Sequence, residues 1–237
     1  MYANIKERIF DVKLKHIALS AFEIINDRST ILIDPFVSLN SQYNYQNSNN
    51  ISDIFVTHGH YDHVGQTVEI AKNTEADVTA IVDVAAYFKD QGIKKVHHVG
   101  IGSWLNYDWG RCVFLPAIHT CTLPNGLPGG VAASILFEID GVRIFHAGDT
   151  SLTMEFKGIN EVYHPDVALL PIGGIYGMDI EHAVIAAKWL GAKTVVPMHY
   201  YLPPVIDVDP KDFAKEFEGT DVKCVVLDNK NDELLLK

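Results

Sequence analysis

Short apolar runs broken by turn residues dominate the first third of the chain. Segments 10–19 (FDVKLKHIAL), 21–26 (AFEIIN) and 30–34 (TILID) are rich in Val, Ile, Leu and Phe and predict strands, with Asn26-Asp27-Arg28-Ser29 as a hairpin connection. Ile31-Leu32-Ile33 reads as a buried strand closed by Asp34-Pro35, because proline cannot continue a ladder. The polar stretch 38–50, dense in asparagine, reads as a surface loop; a loop that covers a substrate is the alternative.

From residue 51 onward, strands and helices alternate. Ile54-Phe55-Val56 predicts a strand that ends in Thr57-His58-Gly59-His60, followed by a helix over 64–73. A strand over 78–82, a helix over 85–89 and a strand over 95–99 come next, and 104–116 reads as two strands around Gly110. A Gly/Pro-rich loop at 123–130 precedes a hairpin of 133–139 and 142–146 turned at Asp140-Gly141. A strand at 167–171 leads to a helix at 180–190, with Asp179 as its N-cap and Gly191 as its stop. A strand at 194–197, a helix from Pro210 and strands at 223–227 and 233–236 complete the pattern.

The Val/Ile/Leu runs suit strands covered on both faces. No composition shift or linker divides residues 1–237, so one domain is expected. The α/β order fits a four-layer α/β/β/α sandwich, two sheets face to face with helices outside; periodicity alone also permits three layers.

Composition changes the picture in four ways. With 237 residues, 48% of them hydrophobic, the chain can bury a full core without a disulfide or structural metal. No apolar run approaches the roughly 18–20 residues that span a bilayer, and the N-terminal segment lacks a signal-peptide pattern, so a soluble, cytoplasmic protein is expected. Asp plus Glu number 30 against 19 Lys plus Arg, a formal net charge of −11, and the densest basic pair is Lys94-Lys95. That balance disfavours nucleic acid as a partner and leaves a small-molecule substrate. Cys112, Cys121 and Cys224 are too widely spaced for a disulfide framework or a metal knuckle.

The chemistry is concentrated at Thr57-His58-Gly59-His60-Tyr61-Asp62-His63, directly after a buried strand. Imidazole nitrogens and carboxylate oxygens are the usual ligands of zinc and similar divalent ions, and Gly59 allows a tight turn between them. A coincidental polar turn is the competing reading. Four ligands this close strain around one ion, so two ions are more natural, with further ligands from other strand ends. His119, Asp149 and His199 each follow an apolar run in the same way.

The pattern H-x-H-x-D-H, with His, Asp and His on later strand ends, resembles the metallo-β-lactamase superfamily over nearly the whole chain. PAIHT, FHAGDT, LLPIGG and VVPMHY are similar to the predicted metal-dependent hydrolases related to ascorbate-6-phosphate lactonase. The resemblance implies one metal held by His58, His60 and His119 and a second by Asp62, His63 and His199, with Asp149 bridging both. Asp62 and Asp149 are then the catalytic carboxylates, and zinc the expected ion, with manganese or iron as alternatives. It further implies that metal-bound hydroxide attacks a small ester, lactone or phosphodiester. An iron-dependent redox enzyme or a nuclease on the same scaffold are the alternatives, together with a metal-stabilised binding module. His60 stands where diiron relatives carry glutamate, which favours hydrolysis.

Leu19 departs from the pattern by replacing a histidine of this branch. The resemblance gives Asp34 a role in hydrogen-bonding a ligand histidine. His146 is expected to support the Asp149 loop, Cys121 to act as a small hydrophobe, and His16 to be structural. Tyr200, Tyr201, Pro203 and Pro204 are expected to shape the wall of the site, while Tyr176 could reach a substrate oxygen or simply pack. His97, His98, His164 and His182 are read as surface or helix-terminus residues.

Overall fold

The computed structural model describes residues 11–48, 50–228 and 232–237. In chain order the elements of the first half are β1 (Val12–Ala18), β2 (Ala21–Ile25), β3 (Thr30–Ile33), β4 (Ile51–Val56), α1 (Tyr61–Val64), α2 (Thr67–Thr74), β5 (Asp77–Ile81), α3 (Val82–Asp90) and β6 (Val96–Val99). Then follow β7 (Trp104–Tyr107), β8 (Gly110–Pro116), β9 (Ala133–Ile139), β10 (Val142–His146), α4 (Glu155–Tyr163), β11 (Val167–Pro171), α5 (Ile180–Leu190) and β12 (Thr194–Met198). The last are β13 (Tyr201–Leu202), β14 (Ile206–Asp207), α6 (Pro210–Lys215), β15 (Lys223–Cys224) and β16 (Glu233–Leu236).

Two sheets form, ordered β16-β1-β2-β3-β4-β5-β6 and β15-β12-β11-β10-β9-β8-β7. Helices α2 and α3 pack on β4, β5 and β6, while α5 lies on β11 and is flanked by α4 and α6. This is the four-layer arrangement anticipated from the sequence. The sheets meet through aromatic rings: Phe55 of β4 stands edge-on to Phe137 of β9 at 5.1 Å and near Phe114 of β8 at 6.3 Å. Phe22 of β2 meets His146 of β10 in the same way at 5.6 Å. All four phenylalanines are fully buried.

Strand direction explains where the site forms. β9 runs antiparallel to both β8 and β10, and β10, β11 and β12 are parallel to one another. The C-terminal ends of β8, β10, β11 and β12 therefore lie at one edge of their sheet. β4 delivers its own C-terminal end to that edge, where the Ala133 amide donates to the Thr57 carbonyl at 3.1 Å.

Several elements differ from expectation. The single helix expected over 64–73 is two pieces, α1 and α2, parted at Gly65 and Gln66. Gly65 has φ +45°, and a Cβ there would collide with the backbone of Pro35 and Phe36, so close chain approach, not local propensity, sets the break. Helix α4 carries no side-chain N-cap and has Gly158 in its middle. It is held by burying Phe156 and Ile159, with Phe156 edge-on to Phe145 at 6.0 Å. β15 stops at Cys224, short of the 223–227 expected, and β13 and β14 form a small separate ribbon. The first predicted strand is β1, and its Phe10 lies outside the described residues.

Described residues of the 38–50 stretch are pinned to the outer face of β2, and Leu39 and Asn40 line a pocket with Leu19, Tyr200 and Tyr201. Tyr43 Oη donates to the buried Glu23 carboxylate at 2.8 Å, Ser48 Oγ donates to the same oxygen, and Asn40 Nδ2 donates to the Ile17 carbonyl at 2.9 Å. Asn49 lies outside the described residues.

Candidate metal centre

All seven side chains singled out in the sequence converge at the shared strand-end edge. His58 and His60 follow β4, Asp62 and His63 sit in the one-turn helix α1, His119 follows β8, Asp149 follows β10 and His199 follows β12. Their donor atoms fall into three sets, each within 4.8 Å: His58, His60 and His119; His58, His63 and Asp149; and Asp62, His63 and His199.

The distances are those of ligands aimed at shared centres. His58 Nε2 stands 3.0 Å from His60 Nδ1, which stands 3.2 Å from His119 Nε2. Asp149 Oδ2 lies 3.3 Å from the Nε2 atoms of both His63 and His199 and 3.6 Å from that of His119. Asp62 Oδ2 is 3.5 Å from His199 Nε2. Ligands about 2.1 Å from a tetrahedral ion stand about 3.4 Å apart, so the spacing fits divalent metal. A second observation agrees: His63 Nε2, His199 Nε2 and Asp149 Oδ1 are buried and make no hydrogen bond. Leaving such groups unpaired is costly, and a cation at the centre removes the cost.

Behind these atoms lies a hydrogen-bonded support. Asp34 Oδ2 accepts from His63 Nδ1 at 2.7 Å and from the Thr57 hydroxyl at 2.7 Å, while Asp34 Oδ1 accepts from the Thr57 amide at 2.8 Å. With its proton given to Asp34, Thr57 Oγ1 accepts from His58 Nδ1 at 3.0 Å. One buried carboxylate thereby orients two imidazoles, one directly and one through a hydroxyl, leaving both Nε2 atoms free for metal. Asp34 thus has the place that the resemblance gave it. The part of Thr57 was missed; its only signal was a hydroxyl residue directly before the first histidine.

Charge divides the cluster. Burial, followed by the neighbouring imidazoles, pushes His58 well below the ordinary histidine pKa, and burial foremost lowers His60 and His119 as well. Burial opposes protonation of His63 too, but the Asp149 and Asp34 carboxylates overcome it and hold His63 well above the ordinary value. His199 is raised in the same way against burial, by Asp149 and Asp62. The imidazoles in turn hold Asp149 well below the ordinary carboxylate range despite its burial.

The remaining expectations resolve individually. His146 accepts from the Gly148 amide at 3.0 Å and donates to the Ser20 carbonyl at 2.9 Å, bracing the loop to Asp149. His16 contacts the Leu19 and Leu227 carbonyls at 2.8 and 3.1 Å, away from the cluster, and Leu19 contributes its backbone: its carbonyl accepts the His199 amide at 2.9 Å. Tyr200 is half-buried beside His16, Tyr201 is exposed in β13, and exposed Tyr176 stands near enough to Tyr61 to add to the burial and Asp62 charge that raise its phenol pKa. His97 pairs with Asp77 and His182 with Asp179, both outside the site.

Gly59 lies in a bend, as expected, without a positive φ, and a Cβ there would stand 2.9 Å from Leu123 Cδ2, the far end of a side chain able to shift. One reading is corrected. Cys121 is more than a small hydrophobe. Its Sγ accepts from the Gly59 amide at 3.1 Å and donates to the Gly129 carbonyl at 3.0 Å, tying the His58–His60 loop to the 121–129 loop.

A two-sheet sandwich with this His/Asp cluster at its strand ends defines the metallo-β-lactamase superfamily, and a Beta-lactamase superfamily domain matches residues 29–200. Within it, the chain belongs to the UPF0173 metal-dependent hydrolase family. It is 39% identical over 218 residues to a UPF0173 metal-dependent hydrolase of Shouchella clausii, covering 88% of this chain and 94% of that one. A second, from Nanoarchaeum equitans, is 38% identical over 232 residues, covering 94% and 99%. Among solved structures, the metallo hydrolase Igni18 of Ignicoccus hospitalis superposes with a TM-score of 0.87 at 32% identity, over 96% of this chain and 99% of that one. No helix among the described residues is long and apolar enough to cross a membrane.

Proposed function

We propose that the protein hydrolyses a small ester, lactone or phosphodiester with two divalent ions, zinc being the expected metal and manganese or iron the alternatives. The observation that carries this reading is the position of Asp149 Oδ2, 3.3–3.6 Å from three imidazole nitrogens that belong to two different ligand sets. His58, His60 and His119 would hold one ion, Asp62, His63 and His199 the other, and Asp149 would reach both. A carboxylate can share its charge between two cations, which no imidazole does. Such ions supply a nucleophile from water at neutral pH and polarise the oxygen of the scissile group. Asp62 and Asp149 are the two carboxylates at the reacting centre. The lactone is included because PAIHT, FHAGDT, LLPIGG and VVPMHY resemble the relatives of ascorbate-6-phosphate lactonase.

The test combines elemental analysis with a panel of esters, lactones and phosphodiesters on protein reconstituted with zinc, manganese or iron. Two ions per chain and chelator-sensitive turnover are expected. Asp149→Asn should lose metal occupancy and activity together. Unchanged metal content and turnover in that variant would overturn the bridging role, and a panel without metal-dependent turnover would overturn the hydrolase reading.

A further inference from the structure

Beside His119 the surface sinks into an open cleft of about 610 Å³, a size suited to a small ligand. Its walls are residues 117–122, which follow β8, and residues of the 126–132 stretch that leads into β9. His119, a member of one ligand set, is part of the wall, so the cleft adjoins the metal centre at that residue. Ile118 and Val131 are 57% and 60% exposed, so their apolar side chains are free to meet a ligand. Pro128 and Ala132 continue the apolar lining, and none of the lining residues is Lys or Arg.

The charge that flanks this cleft is negative. Asp83, in the first turn of α3, lies so close to Gly130 that a Cβ on that glycine would collide with its carboxylate. An anionic group entering here would give up water, find no lysine or arginine in the lining and meet Asp83 on a chain of formal net charge −11. An uncharged group loses little, and a cationic one is attracted.

We propose that this cleft receives the non-reacting part of the substrate and that Asp83 makes it select uncharged or cationic groups over anionic ones. The inference rests on the metal-hydrolase reading above and narrows it to an ester or lactone without a remote phosphate or carboxylate. It separates this chain from a phosphorylated-lactone specificity, despite the motif likeness.

Matched hydroxamates test it without requiring turnover, since the hydroxamate anchors on bound metal and the tail explores the adjoining surface. Zinc-reconstituted protein, its metal content verified by elemental analysis, is titrated calorimetrically with hexanohydroxamic acid and with adipic monohydroxamic acid, which carries a terminal carboxylate. The uncharged tail should bind about tenfold more tightly than the carboxylate tail, a ratio in keeping with one like-charge contact at a partly screened surface. Asp83→Asn should shrink that ratio to about threefold or less, and Val131→Asp, at an exposed position in the wall, should widen it. Equal or tighter binding of the carboxylate tail overturns the proposal, as does a ratio that Asp83→Asn leaves unchanged. A protein that takes up no metal overturns it together with the reading it rests on, and the metal analysis identifies that case. Tail selectivity without hydrolysis of the ester panel supports the cleft assignment and overturns only the hydrolase reading.

Discussion

Asp34 and His63 meet at 2.7 Å through Oδ2 and Nδ1, both side chains fully shielded from water. The contact decides which nitrogen of His63 faces Asp149, and it spans 29 residues of sequence. Asp34 itself touches none of the atoms at the reacting centre, so it is a positioning residue.

Replacing Asp34 by alanine should weaken metal binding by about 10- to 100-fold, the usual cost of removing a carboxylate behind a ligand histidine. Asp34→Asn retains an acceptor oxygen and should recover part of the loss. Competition with a chromogenic chelator measures both. Wild-type metal affinity in Asp34→Ala would show that His63 is oriented by other contacts.

Metal binding should release protons, and the two ligand sets should differ in pH dependence. His58, His60 and His119 lie below the ordinary pKa of 6.5, so their ligand nitrogens stay unprotonated into mildly acid solution. His63 and His199 are raised above 6.5 in the metal-free protein, so a proton competes with the ion there at higher pH than at the other set. As pH falls, the Asp62, His63 and His199 set should lose its ion first, beginning above pH 6.5. Ion occupancy followed by elemental analysis across a pH series should show two steps. A single step, with both ions leaving together, would contradict this assignment.

Cys121→Ala deprives the buried Gly59 amide of its acceptor, and an orphaned buried donor costs about 1–3 kcal/mol. Metal affinity should weaken alongside, because Gly59 lies between His58 and His60. Cys121→Ser, able both to accept and to donate, should recover much of each. Denaturant unfolding and chelator competition on the pair test this. Equal behaviour of the alanine and serine variants would reduce Cys121 to packing.

Phe55 joins the two sheets, contacting Trp109, Phe114 and Phe137, and lies three residues before His58. Phe55→Ala should destabilise the fold by about 3–5 kcal/mol, through lost burial and the cavity left behind. Denaturant unfolding of the metal-free protein measures this without metal-linked stabilisation. A cost below about 1 kcal/mol would mean that the surrounding core collapses into the space.

Much of this protein is written locally. Runs such as Ile31-Leu32-Ile33 and Val195-Val196 announce buried strands because adjacent branched side chains suit an extended chain covered on both faces. Asp140-Gly141 announces its hairpin because these residues tolerate the positive φ that both adopt, +49° and +84°. The metal-type residues were legible for the same reason: each stands just beyond an apolar strand, and short-range sequence suffices to see that. Only the tertiary structure decided how they are used. The Asp34–His63 bond and the Cys121 link to Gly59 cross 29 and 62 residues. The split between α1 and α2 depends on Pro35 and Phe36 pressing on Gly65, and α4 on a core contact that its own weak sequence does not foretell. The cleft between Ile118 and Val131, with Asp83 against it, draws on three separate segments. Propensity and periodicity act over a few neighbouring residues, whereas the orientation of an imidazole or the charge beside a cleft is set by whichever distant groups the packed sheets bring within hydrogen-bonding or Coulombic range.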